Sequence, residues 1–332
     1  MAKKVTYQEI SRTTSVSVAT ISRVVKGSGH VSEEKRKIVL GALKKAGADL
    51  SLIPPPAESR KEPIILVQLP SLDNQFYTEI VRGIDTIASA QGCHVLLHEE
   101  ETLDDDNATS LLRMAKAIGV SGLICMNTVS DEVNSRLKEA LPMVYCSEKR
   151  EDPDVPYVSI DDIGVAYKAT EFLILHGNRD IVLVNGPMSC RYARDRAQGF
   201  SQAMKRYGME ARSKNVITVS GIDYDLTSSA VSQLFCQPDT PDAVFAASDV
   251  LAAAVISVAR KAGMRVPEDV EVIGFDNTDI SRMCIPSITT VSQPRYQMGL
   301  TSCELLLKII RGEGDIQPVL METELVLRSS TR

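Results

Sequence analysis

The chain has 332 residues, 44% of them apolar, and a formal net charge of −6. This length exceeds one typical hydrophobic core and predicts two or three domains. No stretch approaches the roughly 20 consecutive apolar residues of a membrane helix, and no apolar signal segment follows the charged N-terminus. We therefore expect a cytoplasmic protein with no membrane partner.

Three helices are predicted in residues 1–48, the candidate DNA-binding domain. Thr6 and Glu9 form a capping-box pattern at the start of the first helix. Ser17 is the expected N-cap of the second helix, and Ser32 that of the third. Apolar residues at helical spacing predict a buried side for each of these two helices. Those of the second helix are Val16, Ile21, Val24 and Val25, and those of the third are Ile38, Val39, Ala42, Leu43 and Ala46.

Charge separates this head from the rest of the chain. Residues 1–48 hold ten Lys or Arg against three acids, a net charge of +7. Since the whole chain has a net charge of −6, the other residues together carry −13. A basic head on an acidic body indicates that only the head binds a polyanion. With three helices in a helix-turn-helix pattern, the expected polyanion is double-stranded DNA.

A proline-rich linker is predicted over residues 49–63. Three consecutive prolines, Pro54 to Pro56, remove backbone donors and favour polyproline II conformation. A regular helix in this segment is therefore not expected.

Residues 64–332 alternate short apolar strands with amphipathic helices. This alternation predicts parallel sheets with right-handed crossovers. Two such sets, divided near Asp162, imply an α/β fold with two lobes and a ligand cleft at the carboxyl ends of the strands.

Three other features predict no catalytic or metal chemistry. The acidic run at residues 99–106 is interpreted as a solvated loop leading into a helix, and we expect neither a metal nor a cofactor. Seven dispersed cysteines without a C-x-x-C pair are interpreted as buried or inert thiols. The sequence lacks a G-x-G-x-x-G after a strand, a phosphate-binding G-x-x-x-x-G-K-[ST] and a nucleophile elbow, which argues against an enzyme.

Three segments in order across the chain resemble the LacI/GalR family of bacterial transcription factors. They are residues 20–25 with 31–32, residues 266–277, and residues 289–294 with Gly299. The resemblance implies a helix-turn-helix head on operator DNA and a body similar to periplasmic sugar-binding proteins. It also implies an N-lobe of about 64–161 and 294–322, and a C-lobe of about 162–293 and 323–332.

The resemblance assigns DNA-binding roles within the head. Val18 and Ala19 match base-reading positions, and Arg23 matches a guanine-contacting arginine, which suits the acceptors of guanine in the major groove. A phosphate contact without base selectivity is the alternative role for Arg23. The candidates for phosphate contacts that set the register are Thr6, Ser17, Thr20, Ser22 and His30.

The resemblance also places effector-binding residues at strand ends in the body. An arginine, aspartates and amide or hydroxyl groups suit a polyhydroxylated ligand, and aromatic rings suit the face of a sugar or base. Structural alternatives remain: Asp276 could cap a loop, Asp249 could cap the next helix, and Arg196 could pair on the surface. The candidates are Asn74, Phe76, Tyr77, Arg196, Ser248, Asp249, Asp276 and Gln293.

The chain departs from the family at two points. Three prolines stand where the family has a hinge that becomes a short helix on DNA. The leucine-repeat tail of tetrameric members is absent after Arg332, which favours a homodimer.

The predicted function is that of a transcriptional regulator, a repressor controlled by a carbohydrate effector. A nucleoside effector is the alternative, because residues 293–296 and 328–332 resemble the cytidine-responsive branch. A solute-binding protein without DNA function is a further alternative, which the basic head disfavours.

Overall fold

The computed structural model describes residues 6–26, 31–50, 53, 62–150, 152, 154–209, 215–236, 240–314 and 316–332. It divides the chain into two compact units, Met1–Glu62 and Pro63–Arg332. His30 and the three prolines of the predicted linker lie outside the described residues. Within those ranges, no helix is both long and apolar enough to cross a bilayer.

Twelve helices and twelve strands are described. The helices are α1 (Tyr7–Thr14), α2 (Val18–Lys26), α3 (Glu33–Lys45), α4 (Gln75–Ala90), α5 (Asp105–Ile118), α6 (Asp131–Ala140), α7 (Asp162–Leu175), α8 (Arg191–Arg206), α9 (Tyr224–Val231), α10 (Asp249–Lys261), α11 (Asp279–Met283) and α12 (Arg295–Arg311). The strands are β1 (Ile64–Leu69), β2 (His94–Glu99), β3 (Val120–Cys125), β4 (Met143–Cys146), β5 (Tyr157–Ile160), β6 (Ile181–Asn185), β7 (Val216–Thr218), β8 (Ala243–Ala246), β9 (Glu271–Asp276), β10 (Thr289–Ser292), β11 (Val319–Met321) and β12 (Glu324–Val326).

The head consists of α1, α2 and α3 around a small apolar core. The predicted capping box is present, because Thr6 Oγ1 accepts from Glu9 N and the Glu9 carboxylate accepts from Thr6 N. Ser17 Oγ accepts from Thr20 N at 3.2 Å, which confirms Ser17 as the cap of α2. Ile21 and Val24 of α2 are fully buried against Val39 of α3.

Two predictions for α3 were wrong. Ile38 is 44% exposed, because the buried face of α3 lies on Val39 and Leu43 and a residue one step away points about 100° from Val39. Ser32 stands at the N-cap, but its side chain makes no capping hydrogen bond. Its backbone carbonyl accepts from Arg36 N instead, at 3.0 Å.

The body contains two six-stranded sheets. The strand order is β11-β5-β4-β3-β1-β2 in the first and β12-β10-β9-β8-β6-β7 in the second. All described pairings are parallel except that of β10 with β12. The prediction of parallel sheets is therefore confirmed except for this edge strand. The chain passes between the sheets after β5, after β10 and after β11.

Glycines set the packing of helix pairs in each lobe. A Cβ on Gly83 of α4 would collide with Tyr296 O of α12, and one on Gly299 of α12 would collide with Ile80 O of α4. Gly199 of α8 meets Ile163 O of α7 in the same way. These close approaches hold α4 against α12 and α8 against α7.

All seven cysteines lie among the described residues and form no disulfide there, and they differ in burial. Four are buried, Cys190 and Cys284 are partly exposed, and Cys236 is exposed. Cys236 lies at the surface in the segment that follows α9.

Candidate functional site

The helix-turn-helix of the head presents one face of α2 to solvent. Val18, Ala19 and Arg23 are exposed, whereas Ile21 and Val24, on the other side of the helix, are fully buried. Ser15 between α1 and α2 adopts a left-handed conformation with φ of 53°, which allows the sharp turn into α2. The three residues predicted to read bases therefore share the accessible side of one helix.

Four of the predicted phosphate-contacting residues, Thr6, Ser17, Thr20 and Ser22, are described and lie at or near the surface. Several of their hydroxyls have structural roles. Thr6 Oγ1 donates to the Glu9 carboxylate at 3.1 Å as part of the capping box. The hydroxyls of Ser17 and Thr20 are hydrogen-bonded to each other at 2.8 Å. Ser22 is partly exposed beside Arg23. Phosphate contacts by Thr6 and Ser17 would add to these capping roles and remain proposals.

A cavity lies between the two lobes of the body, at the carboxyl ends of the strands. Its empty volume, which includes space open to solvent, is about 510 Å³. Seven of the eight predicted effector residues line it, all except Asp249. The lining residues are Asn74, Phe76, Tyr77, Ser147, Glu148, Asp162, Tyr192, Arg196, Ile222, Ala247, Ser248, Asp276 and Gln293.

Arg196 is the central cation of the cavity, and it is buried in a fixed position. Its Nε donates to Asp162 Oδ1 at 2.8 Å, and its Nη1 donates to Ala247 O at 2.6 Å. Its guanidinium lies 3.6 Å from the ring centroid of Phe275 and 4.9 Å from that of Tyr192. Since Arg196 is only 5% exposed, the surface pairing considered from the sequence does not occur.

Asp276 lies at the end of β9 in an unusual backbone conformation. Its φ is 101°, and that of the next residue, Asn277, is 52°. Residues other than glycine rarely adopt such angles, which strain the backbone. With the backbone in this conformation, the Asp276 carboxyl lines the cavity. Gln293, after β10, donates from Nε2 to Asp276 Oδ1 at 2.7 Å. Burial raises the pKa of Asp276, and the charges of Arg196 and Arg295 oppose that rise.

The N-lobe contributes an aromatic wall. Phe76 and Tyr77 begin α4, and their rings are arranged edge to face with centroids 5.1 Å apart. Asn74 caps this helix, because its Oδ1 accepts from Phe76 N at 3.0 Å. The cap and the glycine contact with α12 together hold the two rings at the mouth of the cleft.

Glu148 is a buried acid of the N-lobe that faces the C-lobe. It is 9% exposed, and burial raises the pKa of its carboxyl to about 7. Asp162 raises this pKa further, whereas Thr128, Arg191 and Arg194 lower it. The Thr128 hydroxyl also accepts from Arg191 N at 3.3 Å, so the N-lobe contacts the start of α8 across the cleft.

Asp249 does not line the cavity, contrary to the grouping predicted for it. Its Oδ2 accepts from Thr278 N at 2.6 Å, and its Oδ1 accepts from Thr290 Oγ1 at 2.6 Å. The cap of α10 is Ser248, whose Oγ accepts from Leu251 N at 3.2 Å. Asp249 therefore ties α10 to the segments after β9 and within β10, and both of its carboxylate oxygens are used in these contacts.

Sequence reasoning missed several residues of the cavity wall. The most consequential are Asp162, which pairs with Arg196, and Ser147 with Glu148, which directly follow β4. The rule that ligand groups follow parallel strands would have found them, because each lies just beyond a strand. Asp161 has a structural role, since its Oδ1 accepts from Gly164 N at the start of α7.

Residues that suggested a nucleoside effector mostly bind other parts of the protein. Arg295 donates to Gln75 O at 3.1 Å and Asn277 O at 3.0 Å. Arg328 donates to Asn277 Oδ1 at 2.7 Å and Ile288 O at 2.7 Å. Of residues 293–296, Gln293 is the member that lines the cavity.

The chain matches known proteins in both units. Residues 6–47 match "Bacterial regulatory proteins, lacI family", and residues 170–331 match "Periplasmic binding protein-like domain". The HTH-type transcriptional repressor CytR of Escherichia coli (strain K12) is 32% identical over 98% of this chain and 96% of its own length. Catabolite control protein A of Priestia megaterium is 31% identical over 99% of each chain.

A solved structure extends the similarity to the fold. The transcriptional regulator CelR–cellobiose complex has a TM-score of 0.74 at 29% identity, covering 98% of this chain and 100% of that chain. The match covers both the head and the body of this chain. The chain therefore belongs to the LacI family of bacterial transcriptional regulators.

Proposed function

We propose that the protein is a transcriptional repressor whose affinity for operator DNA is set by a small carbohydrate in the interlobe cavity. One observation carries this proposal: the same chain holds a head and a body suited to two different partners. The head has a net charge of +7 and an exposed face on α2, and the body has a cavity lined by buried polar residues. The proposed location of the protein is the cytoplasm, where it would meet the DNA.

Arg23 is the proposed base-reading residue of the head. It is exposed on α2 one turn after Val18 and Ala19, so all three can enter a major groove together. An arginine can donate two hydrogen bonds to O6 and N7 of one guanine, which the small apolar side chains cannot do. Val18 and Ala19 then contribute contacts to thymine methyl groups.

A homodimer is the proposed assembly. Two copies would place two α2 helices on a palindromic site, one for each half-site. A ligand that binds the closed lobes more tightly than the open ones would shift the population of head arrangements. The domain limits proposed for this mechanism are those given from the sequence, with a head of residues 1–48, a linker of residues 49–63 and a body of residues 64–332.

A carbohydrate is the first candidate ligand because of the composition of the cavity wall. Arg196, Asp276 and Gln293 offer both donors and acceptors, and Phe76 with Tyr77 offers aromatic faces. The related regulator CelR was solved with cellobiose, which supports this choice. A nucleoside is the second candidate, because the same aromatic wall suits a base.

A binding role, and not a catalytic one, is proposed for the cavity, because the relatives are named as transcriptional repressors and regulators. The cationic head likewise favours a regulator over a free-standing solute-binding protein.

Selection of duplexes from a random library on the full-length protein tests the DNA half of the proposal. We expect enrichment of a palindromic sequence with guanine in each half-site. Titration of the selected duplex with sugars and nucleosides then tests the effector half. Equal affinity for selected and scrambled duplexes would contradict sequence-specific binding.

A further inference from the structure

The cavity wall carries more negative than positive charge. Three carboxyl groups line it, those of Glu148, Asp162 and Asp276, against the single lining cation Arg196. None of these four residues is more than 9% exposed. Burial raises the pKa of each of these three carboxyls, so the lining reaches an excess of two negative charges at a pH high enough to ionise all of them. Solvent screens charges in such a buried site poorly.

The lining arginine is already paired. Its Nε donates to Asp162 and its Nη1 donates to Ala247 O, while Phe275 covers one face of the guanidinium. A guanidinium has five N–H donors, so a ligand can still reach those of Nη2, but Asp162 already balances the charge of this cation. Separating a buried ion pair to accommodate another anion is costly, because one charge is left without a partner.

Other arginines act on these carboxyls from outside the cavity lining, and each also donates to another group of the protein. None of Arg191, Arg194 and Arg295 lines the cavity. Arg191 donates to Asp195 at 3.1 Å, Arg194 to the carbonyls of Met188 and Ser189 at 2.9 and 2.6 Å, and Arg295 to those of Gln75 and Asn277 at 3.1 and 3.0 Å.

The start of α8 would attract an anion, but the N-lobe already occupies part of it. Cys190 stands at the N-cap and makes no side-chain capping bond. Arg191 N instead donates to Thr128 Oγ1, and the same threonine donates to Glu148. The negative charge beside this helix terminus is thus supplied by the protein itself.

The wall also has spare acceptors. Gln293 donates to Oδ1 of Asp276, and Arg196 donates to Oδ1 of Asp162. Within the described part of the chain, neither Oδ2 of Asp162 nor Oδ2 of Asp276 accepts a hydrogen bond. A carboxylate can accept several hydrogen bonds and donates none when ionised, so a ligand that fits must bring donors.

We propose that the cavity takes an unphosphorylated ligand rich in hydrogen-bond donors, a neutral polyol or an amine-bearing one, and rejects its phosphorylated counterpart. Hydroxyl or amine donors pair with the spare carboxylate oxygens, whereas a phosphate adds negative charge to an already negative wall. This inference rests on the proposed function, because it takes the interlobe cavity as the effector site.

Matched pairs of probes test the inference on the full-length protein. Ribose, glucose and cytidine are each titrated beside their own phosphate ester, by thermal shift and by calorimetry. At least one unphosphorylated member should bind, and its phosphate ester should bind at least about a hundredfold more weakly, as expected for like charges in a poorly screened site.

Glu148→Gln isolates the charge from the shape of the site. At about pH 8, where the Glu148 carboxylate is ionised, the substitution should reduce discrimination against the phosphate ester by about tenfold. Glu139→Gln is the matched control, because Glu139 is an exposed acid of α6 in the same lobe. Its discrimination should equal that of the wild type.

A phosphate ester that binds as tightly as its unphosphorylated partner would overturn the inference. If that ester also changes operator affinity, the proposed function stands while the inference fails. Failure of every unphosphorylated probe to bind would likewise overturn the inference, and operator binding by the same sample would report separately on the head. Equal discrimination in Glu148→Gln and wild type would show that Glu148 does not contribute to the rejection of the phosphate ester.

Discussion

The head and the body of this protein use charge in opposite ways. The head has a net charge of +7 and exposes Arg23 and Lys26 on α2, so its cations are hydrated and available to a large external polyanion. The body buries Arg196 with Asp162 and surrounds them with further acids. Exposed charge suits a partner that is recognised electrostatically over a surface, and buried charge suits a small ligand that is enclosed.

The difference also appears in how each region loses stability. An exposed cation contributes little to folding, because water solvates it in both the folded and unfolded chain. A buried ion pair must stay intact, because removing one partner leaves the other without compensation. Substitutions of single charges should therefore separate the two regions, with the largest effect in the body.

Arg196→Ala should lower the free energy of unfolding of the body by about 3–5 kcal/mol, because Asp162 would be left buried and unpaired. Chemical denaturation measures this change. Arg191→Ala is the matched control on the same helix, where the partly exposed pair with Asp195 is expected to contribute less than about 1 kcal/mol. Equal losses in the two variants would contradict the distinction between buried and exposed charge.

The stability of the body should depend on pH through Glu148. Burial raises the pKa of this carboxyl from 4.5 to about 7, so the folded state holds a proton that the unfolded chain has released. The free energy of unfolding should therefore be largest below about pH 4.5 and should fall as pH rises through about 7, by up to about 3 kcal/mol from this group.

Glu148→Gln should flatten that pH dependence without removing it. Asp249, whose pKa burial also raises to about 7, remains in the variant and contributes in the same direction. Thermal unfolding of the variant and the wild type from acid to neutral pH measures the difference. An identical slope in both proteins would show that Glu148 titrates at its ordinary value.

Arg23→Ala should weaken binding to the selected operator by about 1–3 kcal/mol, the range of one bidentate contact to guanine, and leave stability and ligand binding unchanged. Competition between selected and scrambled duplexes measures the effect. If the variant loses affinity equally for both duplexes, Arg23 contacts phosphate and does not read bases.

Local patterns predicted two of the three helix caps of the head and failed at Ser32, whose side chain makes no capping hydrogen bond. The capping box of Thr6 and Glu9 and the cap at Ser17 depend on neighbours along the chain, and both are present. Periodicity alone placed Ile38 in the core of the head, but the packing partner of α3 is set by tertiary contacts that no local pattern contains.

The cavity shows the same limit on a larger scale. Asp276 and Arg196 could be grouped from strand ends and from family resemblance, and the structure brings both to one cavity. Asp249 has the same sequence signal, but it faces Thr278 and Thr290. Its direction depends on the rotation of α10 against β9 and β10, which sequence spacing does not specify. Glu148 was missed because its importance arises only when the two lobes meet.

The central claim is that a ligand in the interlobe cavity controls DNA binding by the head. Fluorescence anisotropy of the selected operator, titrated with an effector found by screening, tests it most directly when wild type and Asp276→Asn are compared. We expect the effector to change the operator affinity of the wild type by at least about fivefold, the lower range of allosteric coupling. The variant should bind the operator normally and show no response. An unaltered response in Asp276→Asn, whose carboxyl lines the cavity, would contradict the account.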